Sequence, residues 1–305
     1  MAKKFKIGLA LGGGGARGLA HVGIIQELEN SGIPIDFIAG TSVGSVVGVY
    51  YALYQDNKQL KATALQIAQQ LSQISNQFDF SQLQQKDRKT LPWGRLTEFI
   101  KKGYYLHSEL RKICLNDGRV LKNLLDKFLK DYQFSDTKIP FYAVTADLIS
   151  GKEVVLKDGP LVKAILASCA IPGIFPPIEY PDQLLIDGGI VNNVPVDIVK
   201  NMGADFVIAC NLNRELKRKT TFKNAIDILF RSEEITSKKL RKIQLQNADF
   251  IIAPEIHHID WWNFRKPEHC ILLGAEATRK MVPYLQKVLQ SRMRSASIRR
   301  FLFKY

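Results

Sequence analysis

Residues 6–11, KIGLAL, form a short and almost wholly apolar run, and the segment after the glycines, ARGLAHVGIIQELENSG, spaces its apolar positions by threes and fours until Gly32. The first pattern predicts a buried strand and the second a helix. The pair then recurs: DFIAG predicts a second strand, and SVGSVVGVYYALYQ a second helix so apolar that it must be buried. Strand, tight turn and helix, twice over, predict the opening of a parallel α/β sheet.

From about Leu71 to Leu115 the texture turns Gln-rich and mixed, with scattered aromatics and no clear period, which predicts an irregular or short-helical cap. VLKNLLDKFLK predicts one more helix. Strand-like material then returns in FYAVTADL, in a hairpin at KEVVLKDG, in LLIDGG and in DFVIACNL. A charged helix is expected from about Ala225 to Gln246, then a strand in ADFIIAPEI and a final helix near Ala275 to Gln290. No repeat, low-complexity block or linker interrupts this order. One domain over 1–290, with the cap at 71–115, is therefore expected, and after it a tail at 291–305.

At 305 residues, 46% hydrophobic and 24% charged, the chain has enough apolar material for a large core. No apolar run approaches the roughly 18–20 residues of a membrane-spanning helix, and MAKKFKIGLAL has too short an apolar piece for a signal peptide. Cys114, Cys169, Cys210 and Cys270 are far apart with no C-x-x-C pair, which argues against a zinc site or a disulfide framework and makes a cytoplasmic location the expectation. The formal charge of +14 is uneven: Ala277 to Tyr305 holds eight Lys or Arg and no acid. Within SIRRFLFKY, Ile298, Phe301, Leu302 and Tyr305 share one helical face, which suits peripheral contact with an anionic membrane. The basic runs carry no nucleic-acid recognition motif, so no nucleic-acid partner is expected.

Four consecutive glycines at 12–15 sit at the first strand-to-helix turn. Gly13, Gly15 and Gly18 fit the spacing of a dinucleotide-binding turn, but that reading needs an acid at the carboxyl end of the second strand. Asp36 lies before FIAG, at the other end. The carboxyl end carries instead Gly40-Thr41-Ser42-Val43-Gly44, a G-x-S-x-G sequence on a strand-to-helix turn, the context in which such a serine is held exposed as a nucleophile. The glycine loop then has a matching task, since backbone N–H groups at Gly13, Gly14 and Gly15 can face a carbonyl above Ser42 as an oxyanion hole. Arg17 either pins this loop, touches substrate or is simply solvated.

For the base, His257, His258 and His269 come after the other motifs but occupy no recognisable strand end, and His21 reads as a packed residue. Asp187, at the end of LLID and directly before Gly188 and Gly189, is the preferred partner of Ser42.

GGGARG (13–18), GTSVG (40–44) and DGG (187–189), with ASCAIPGIFPPI (167–178) ahead of the aspartate, together resemble the patatin-like phospholipase family over about Lys6 to Leu212. The resemblance implies a three-layer α/β/α sandwich with a mainly parallel central sheet. It also implies a Ser-Asp dyad without histidine, in which Ser42 is the nucleophile, Asp187 the base and Gly13, Gly14 and Gly15 the oxyanion loop, supported by Arg17, Gly18, Gly40, Gly44, Gly188 and Gly189. The implied substrate is a lipid ester, phospholipid or lysophospholipid, hydrolysed without metal or cofactor. Phe175, Ile174 and the apolar helix after Ser42 are candidate lining for an acyl chain. An oxidoreductase using the glycine loop, or a non-catalytic membrane-associated protein, are the competing readings.

Overall fold

The computed structural model describes residues 4–77, 118–212, 216, 218–222 and 225–302. In chain order the elements are β1 (Ile7–Leu11), α1 (Ala20–Asn30), β2 (Phe37–Thr41), α2 (Val43–Tyr54), α3 (Asn57–Gln77), α4 (Arg119–Leu129), β3 (Phe141–Asp147), β4 (Glu153–Leu156), α5 (Leu161–Ser168), β5 (Ile178–Tyr180), β6 (Gln183–Asp187), α6 (Val196–Asn201), β7 (Phe206–Cys210), α7 (Ala225–Leu245), β8 (Phe250–Ile252) and α8 (Pro267–Leu302). Most of the expected cap, 78–115, lies outside the described residues, and 71–77 continue α3.

Among the described residues the eight strands form one sheet in the order β5-β6-β3-β2-β1-β7-β8, with β4 also on β3. β3, β2, β1, β7 and β8 are mutually parallel, and β4, β5 and β6 join antiparallel. The alternation of side chains along the strands sorts the core into two layers. Leu9 and Leu11 of β1 and Phe206 and Ile208 of β7 face α1, α2 and α8. Ala10, Ala39, Val207 and Ala209 face α6, which carries Val196, Ile198 and Val199. The second layer is thin because its strand residues are small, and Gly8 lets Val199 approach where any Cβ would overlap it.

α1 and α8 cross through two glycines. A Cβ on Gly23 would overlap the Ile271 carbonyl, and one on Gly274 the Ala20 carbonyl, so the backbones meet directly. Arg279 grips Glu27 of α1 bidentately, at 2.6 and 3.2 Å. α8 is longer than the sequence pattern suggests, since it begins at Pro267 and runs unbroken to Leu302. Arg292, inside the segment expected to be a tail, is tied to Asp249 at 3.0 Å.

Candidate active site

The site is assembled on one edge of β3. β4 pairs with Ala143–Ala146, overlapping the β3 residues used by both β2 and β6, so β2 and β6 share the opposite edge. They reach it from opposite directions and stop end to end. Thr41, the last residue of β2, is paired with Val144, and Asp187, the last residue of β6, with Thr145. Adjacent residues of one strand thus index the two chain segments that sequence reasoning singled out, and Ser42 and Asp187 come together from 145 positions apart.

Ser42 caps α2 with φ 54° and ψ −128°. A left-handed conformation in a non-glycine residue costs on the order of 1–3 kcal/mol and persists only when its surroundings over-determine it. Here they do. The Ser42 N–H donates to Ser168 Oγ at 3.0 Å, and the Ser168 hydroxyl donates to the Val144 carbonyl at 2.8 Å. The Ser42 carbonyl accepts from both the N–H and the hydroxyl of Ser45, at 2.8 and 2.6 Å. Gly40 and Gly44 make the elbow sterically possible: a Cβ on Gly40 would stand 2.5 Å from the Gly44 carbonyl oxygen, and one on Gly44 would overlap the Leu11 carbonyl. Ser42 is 7% exposed and Asp187 6%.

The Asp187 carboxylate accepts from the Gly189 N–H at 2.8 Å, and its own N–H donates to Ala170 at 3.0 Å. Burial pushes its pKa up to about 6, a shift moderated by hydrogen bonds from the Ser42 hydroxyl and the Gly189 N–H. Gly188 lies so close to β3 that a Cβ would be 2.5 Å from the Val144 carbonyl oxygen, and one on Gly189 would be 3.1 Å from Asp187 Oδ1. The Asp-Gly-Gly sequence therefore serves close packing around the carboxylate.

The glycine loop lies against Ser42, with a Cβ on Gly13 falling only 3.3 Å from Ser42 Cβ. Its peptide groups are clamped one by one. The Gly12 carbonyl accepts from His21 Nε2 at 2.7 Å, and the Gly13 N–H of the same peptide donates to the Asn193 carbonyl at 3.1 Å. The Gly13 amide is thus committed to the fold, which separates it from the other two expected donors. Arg17 Nε donates to the Gly14 carbonyl at 3.3 Å, and in a trans peptide this sends the Gly15 N–H the opposite way. Among the described residues, the N–H groups of Gly14 and Gly15 have no hydrogen-bond acceptor. Gly15 has φ 56° and Ala16 donates to Trp261 at 2.6 Å, so the loop is also held from outside. Gly18 packs on Val43, where a Cβ would overlap the valine side chain.

His21 is fully buried, and burial lowers its pKa to about 4, so it is neutral and donates from Nε2. His257, His258 and His269 are exposed and meet one another, His257 edge-on to His258 and His258 tilted against His269, with ring centroids 6.0 and 5.7 Å apart. No histidine is among the groups that act on Asp187. Asp36 accepts from the Ile7 N–H at 3.0 Å and pairs with Lys6 at 2.9 Å, which fixes it at the amino end of β1 and β2, away from the glycine loop. Cys169, Cys210 and Cys270 are buried free thiols, and Cys114 lies outside the described residues. Among the described residues no cluster of three or more His, Cys, Asp or Glu fits a metal ion.

A small apolar cavity of about 30 Å³, room for little more than one water, lies between α2, α3 and α4, lined by Val46, Val49, Tyr50, Leu60, Ala64 and Leu125 among others. Of the expected lining residues, Phe175 instead packs against the main core, and Ile174 is half-buried beside it. Sequence reasoning missed Ser168, Ser45, Asn193 and Trp261. Each acts through a backbone group or a single hydroxyl, and only the ASCA sequence around Ser168 carried any signal.

A family model described as patatin-like phospholipase matches residues 9–200, a span that includes Ser42, Asp187 and the whole glycine loop. Patatin-like phospholipase domain-containing protein 6 of Mus musculus is 31% identical over 211 residues, covering 68% of this chain and 14% of the relative. Lysophospholipase nte1 of Aspergillus fumigatus is 31% identical over 206 residues, covering 68% of this chain and 12% of that protein. The chain thus matches only a small part of the length of these relatives. Among solved structures, VipD from Legionella pneumophila superposes with a TM-score of 0.50 at 16% identity, over 92% of this chain and 67% of that one, a likeness of fold. The motifs, the sheet that unites them and these matches agree, and the chain belongs to the patatin-like phospholipase family.

Proposed function

We propose that this protein is a serine hydrolase of lipid acyl esters, phospholipid or lysophospholipid, with Ser42 as nucleophile and Asp187 as its base. The observation that carries the reading is that β2 and β6 end at adjacent residues of β3 and so bring Ser42 to a buried carboxylate, whose pKa burial pushes up to about 6. An aspartate at its ordinary value is a poor acceptor of a serine proton; raised to about 6 it is a better base and is still ionised at neutral pH. Asp187 takes the proton as Oγ attacks the ester carbonyl, and returns it to the departing alcohol oxygen. The acyl-serine is then cleaved by a water deprotonated by the same carboxylate, and the proton goes back to Ser42 Oγ.

The negative charge on the carbonyl oxygen is met by the Gly14 and Gly15 N–H groups, assisted by the amino end of α2. The loss of one such donor costs about 2.7–4 kcal/mol in other hydrolases. The lipid surface is assigned to the basic segment at 291–305. Names of relatives such as lysophospholipase nte1 support the substrate class.

A fluorophosphonate probe should label Ser42 in the wild type and not in Ser42→Ala. Ser42→Ala and Asp187→Asn should each abolish hydrolysis of a short-chain ester, with the double variant hardly worse, because the two act as one unit. An intact fold that neither reacts with the probe nor turns over any ester would make this a non-catalytic protein of the family. Persistence of activity in Asp187→Asn, with loss in a His257, His258 or His269 variant, would establish a triad instead.

A further inference from the structure

α7 is an unusual crossover. The chain leaves the carboxyl edge of the sheet at Cys210, and the last turn of α7 touches that edge again: Gln244 Nε2 donates to the Val191 carbonyl at 2.9 Å, and its Oε1 accepts from the Val194 N–H at 3.3 Å. Val194 packs over Gly12, and the Asn193 carbonyl holds the Gly13 N–H, so α7 is seated on the loop that supports the catalytic glycines. Among the described residues, the covered side of the helix runs along Ser237, Leu240, Arg241 and Gln244.

The uncovered side is not the polar surface that position calls for. Ile228, Leu229, Ile235 and Ile243 are 54, 69, 53 and 53% exposed. At roughly 100° per residue the three isoleucines fall within about 80° of one another, with Leu229 at the margin. Of the exposed lysines, Lys239 lies within the same arc and Lys242 just outside it, at the margin opposite Leu229. The three acids of the helix, Asp227, Glu233 and Glu234, all project from the other half. The same edge of the sheet also exposes Ile190, three residues beyond Asp187, and Leu148 and Ile149 on the turn after β3.

We propose that the outward face of α7 is a docking surface for an anionic lipid bilayer, which receives the isoleucines while the lysines reach its phosphates. The proposal rests on the acyl-hydrolase reading for the identity of the substrate, and on the helix itself for the rest. A face with apolar stems, lysines and no acid matches a negatively charged bilayer. Two copies of it would oppose lysine to lysine, in a chain that already carries +14. Docking there sets the edge of the sheet that carries Ser42 against the surface from which a lipid ester must be drawn. It is also separate from the basic segment at 291–305, which belongs to a different helix.

The test uses the full chain in a Ser42→Ala background, so that vesicle binding is read without hydrolysis. Flotation is measured with vesicles of phosphatidylcholine containing about 30 mol% phosphatidylserine, and with phosphatidylcholine alone. Ile228→Ser/Ile235→Ser/Ile243→Ser should weaken binding to the anionic vesicles by roughly tenfold or more, and Lys239→Glu/Lys242→Glu should remove the preference for them. On wild-type Ser42, the isoleucine variant should turn over a soluble short-chain ester at the unaltered rate and show an unaltered circular dichroism spectrum. Undiminished vesicle affinity in the isoleucine variant would overturn the proposal. So would a wild-type dimer that this variant converts to a monomer while vesicle binding stays the same. An inactive wild type that still binds vesicles through this face would count against the hydrolase reading alone.

Discussion

At the scale of single residues, Asp187 is held at a cost to stability. Its folded pKa of about 6 exceeds the ordinary value, so between about pH 4 and 6 the folded state binds the proton more tightly than the unfolded chain. Stability therefore falls as pH rises through that window and stays lower above it, by an amount on the order of 2–3 kcal/mol. Asp187→Asn should raise the melting temperature at pH 8 and change it little at pH 4, as calorimetry would show, while abolishing activity. For the wild type, kcat/KM should lose its value as pH falls through about 6, the pKa of the buried carboxylate, and not near 4. Arg17→Met should lower kcat far more than it raises KM or lowers stability, because it frees the Gly14 carbonyl and with it the direction of the Gly15 N–H. The turns that carry Ser42, Asp187 and the glycines were legible in the sequence because each ends an apolar run and, at Gly40, Gly44 and Gly188, no larger residue fits. The division of labour among the glycines was not, since it depends on whether an amide meets a backbone carbonyl 180 residues away, as Gly13 meets Asn193.

At the scale of elements, the crossing of α1 and α8 reverses a familiar sign. Gly→Ala inside an exposed helix gains up to about 1 kcal/mol. At Gly23 the new methyl would overlap the Ile271 carbonyl, and the helices would have to separate. Gly23→Ala should thus destabilise by about 1–3 kcal/mol in urea denaturation, the usual range for overpacking. The elements that patterning missed, α5 (eight residues) among them, each lack a readable period, for different reasons. α3 shows only a narrow apolar stripe, with Leu60, Ala64 and Ala68 buried between Gln and Lys positions; α6, at six residues, is too short to display a period; β5 is a three-residue edge strand. Strands β1, β2, β3, β6 and β7 were readable because the layers around a central sheet leave them as nearly unbroken apolar runs.

For the molecule as a whole, the excess charge at its carboxyl-terminal end is joined to the fold by a rigid helix. Arg292 fastens α8 to Asp249, whose other oxygen receives the Val207 N–H of the sheet at 3.0 Å. Removing residues 298–305 spares that anchor. It should leave turnover of a soluble ester unchanged while weakening binding to anionic vesicles, and the binding of the intact protein should decline as salt rises, since at about 0.15 M ionic strength charges are screened beyond about 8 Å. Among the described residues no helix is long and apolar enough to cross a membrane.

The end-to-end meeting of β2 and β6 on β3 also makes the active site a reporter of how the chain folds. β6 meets β3 across 42 residues, Thr145 to Asp187, whereas β2 must reach it across 103, Thr41 to Val144, and a slip of one residue in β6 would turn the Asp187 carboxylate to the far face of the sheet. Helix and strand content can therefore recover during refolding while Ser42 still lacks its partner. Reactivity toward a fluorophosphonate should lag behind the far-ultraviolet signal, and the interval between the two is the lifetime of a sheet that has formed but not yet seated both β2 and β6 on β3.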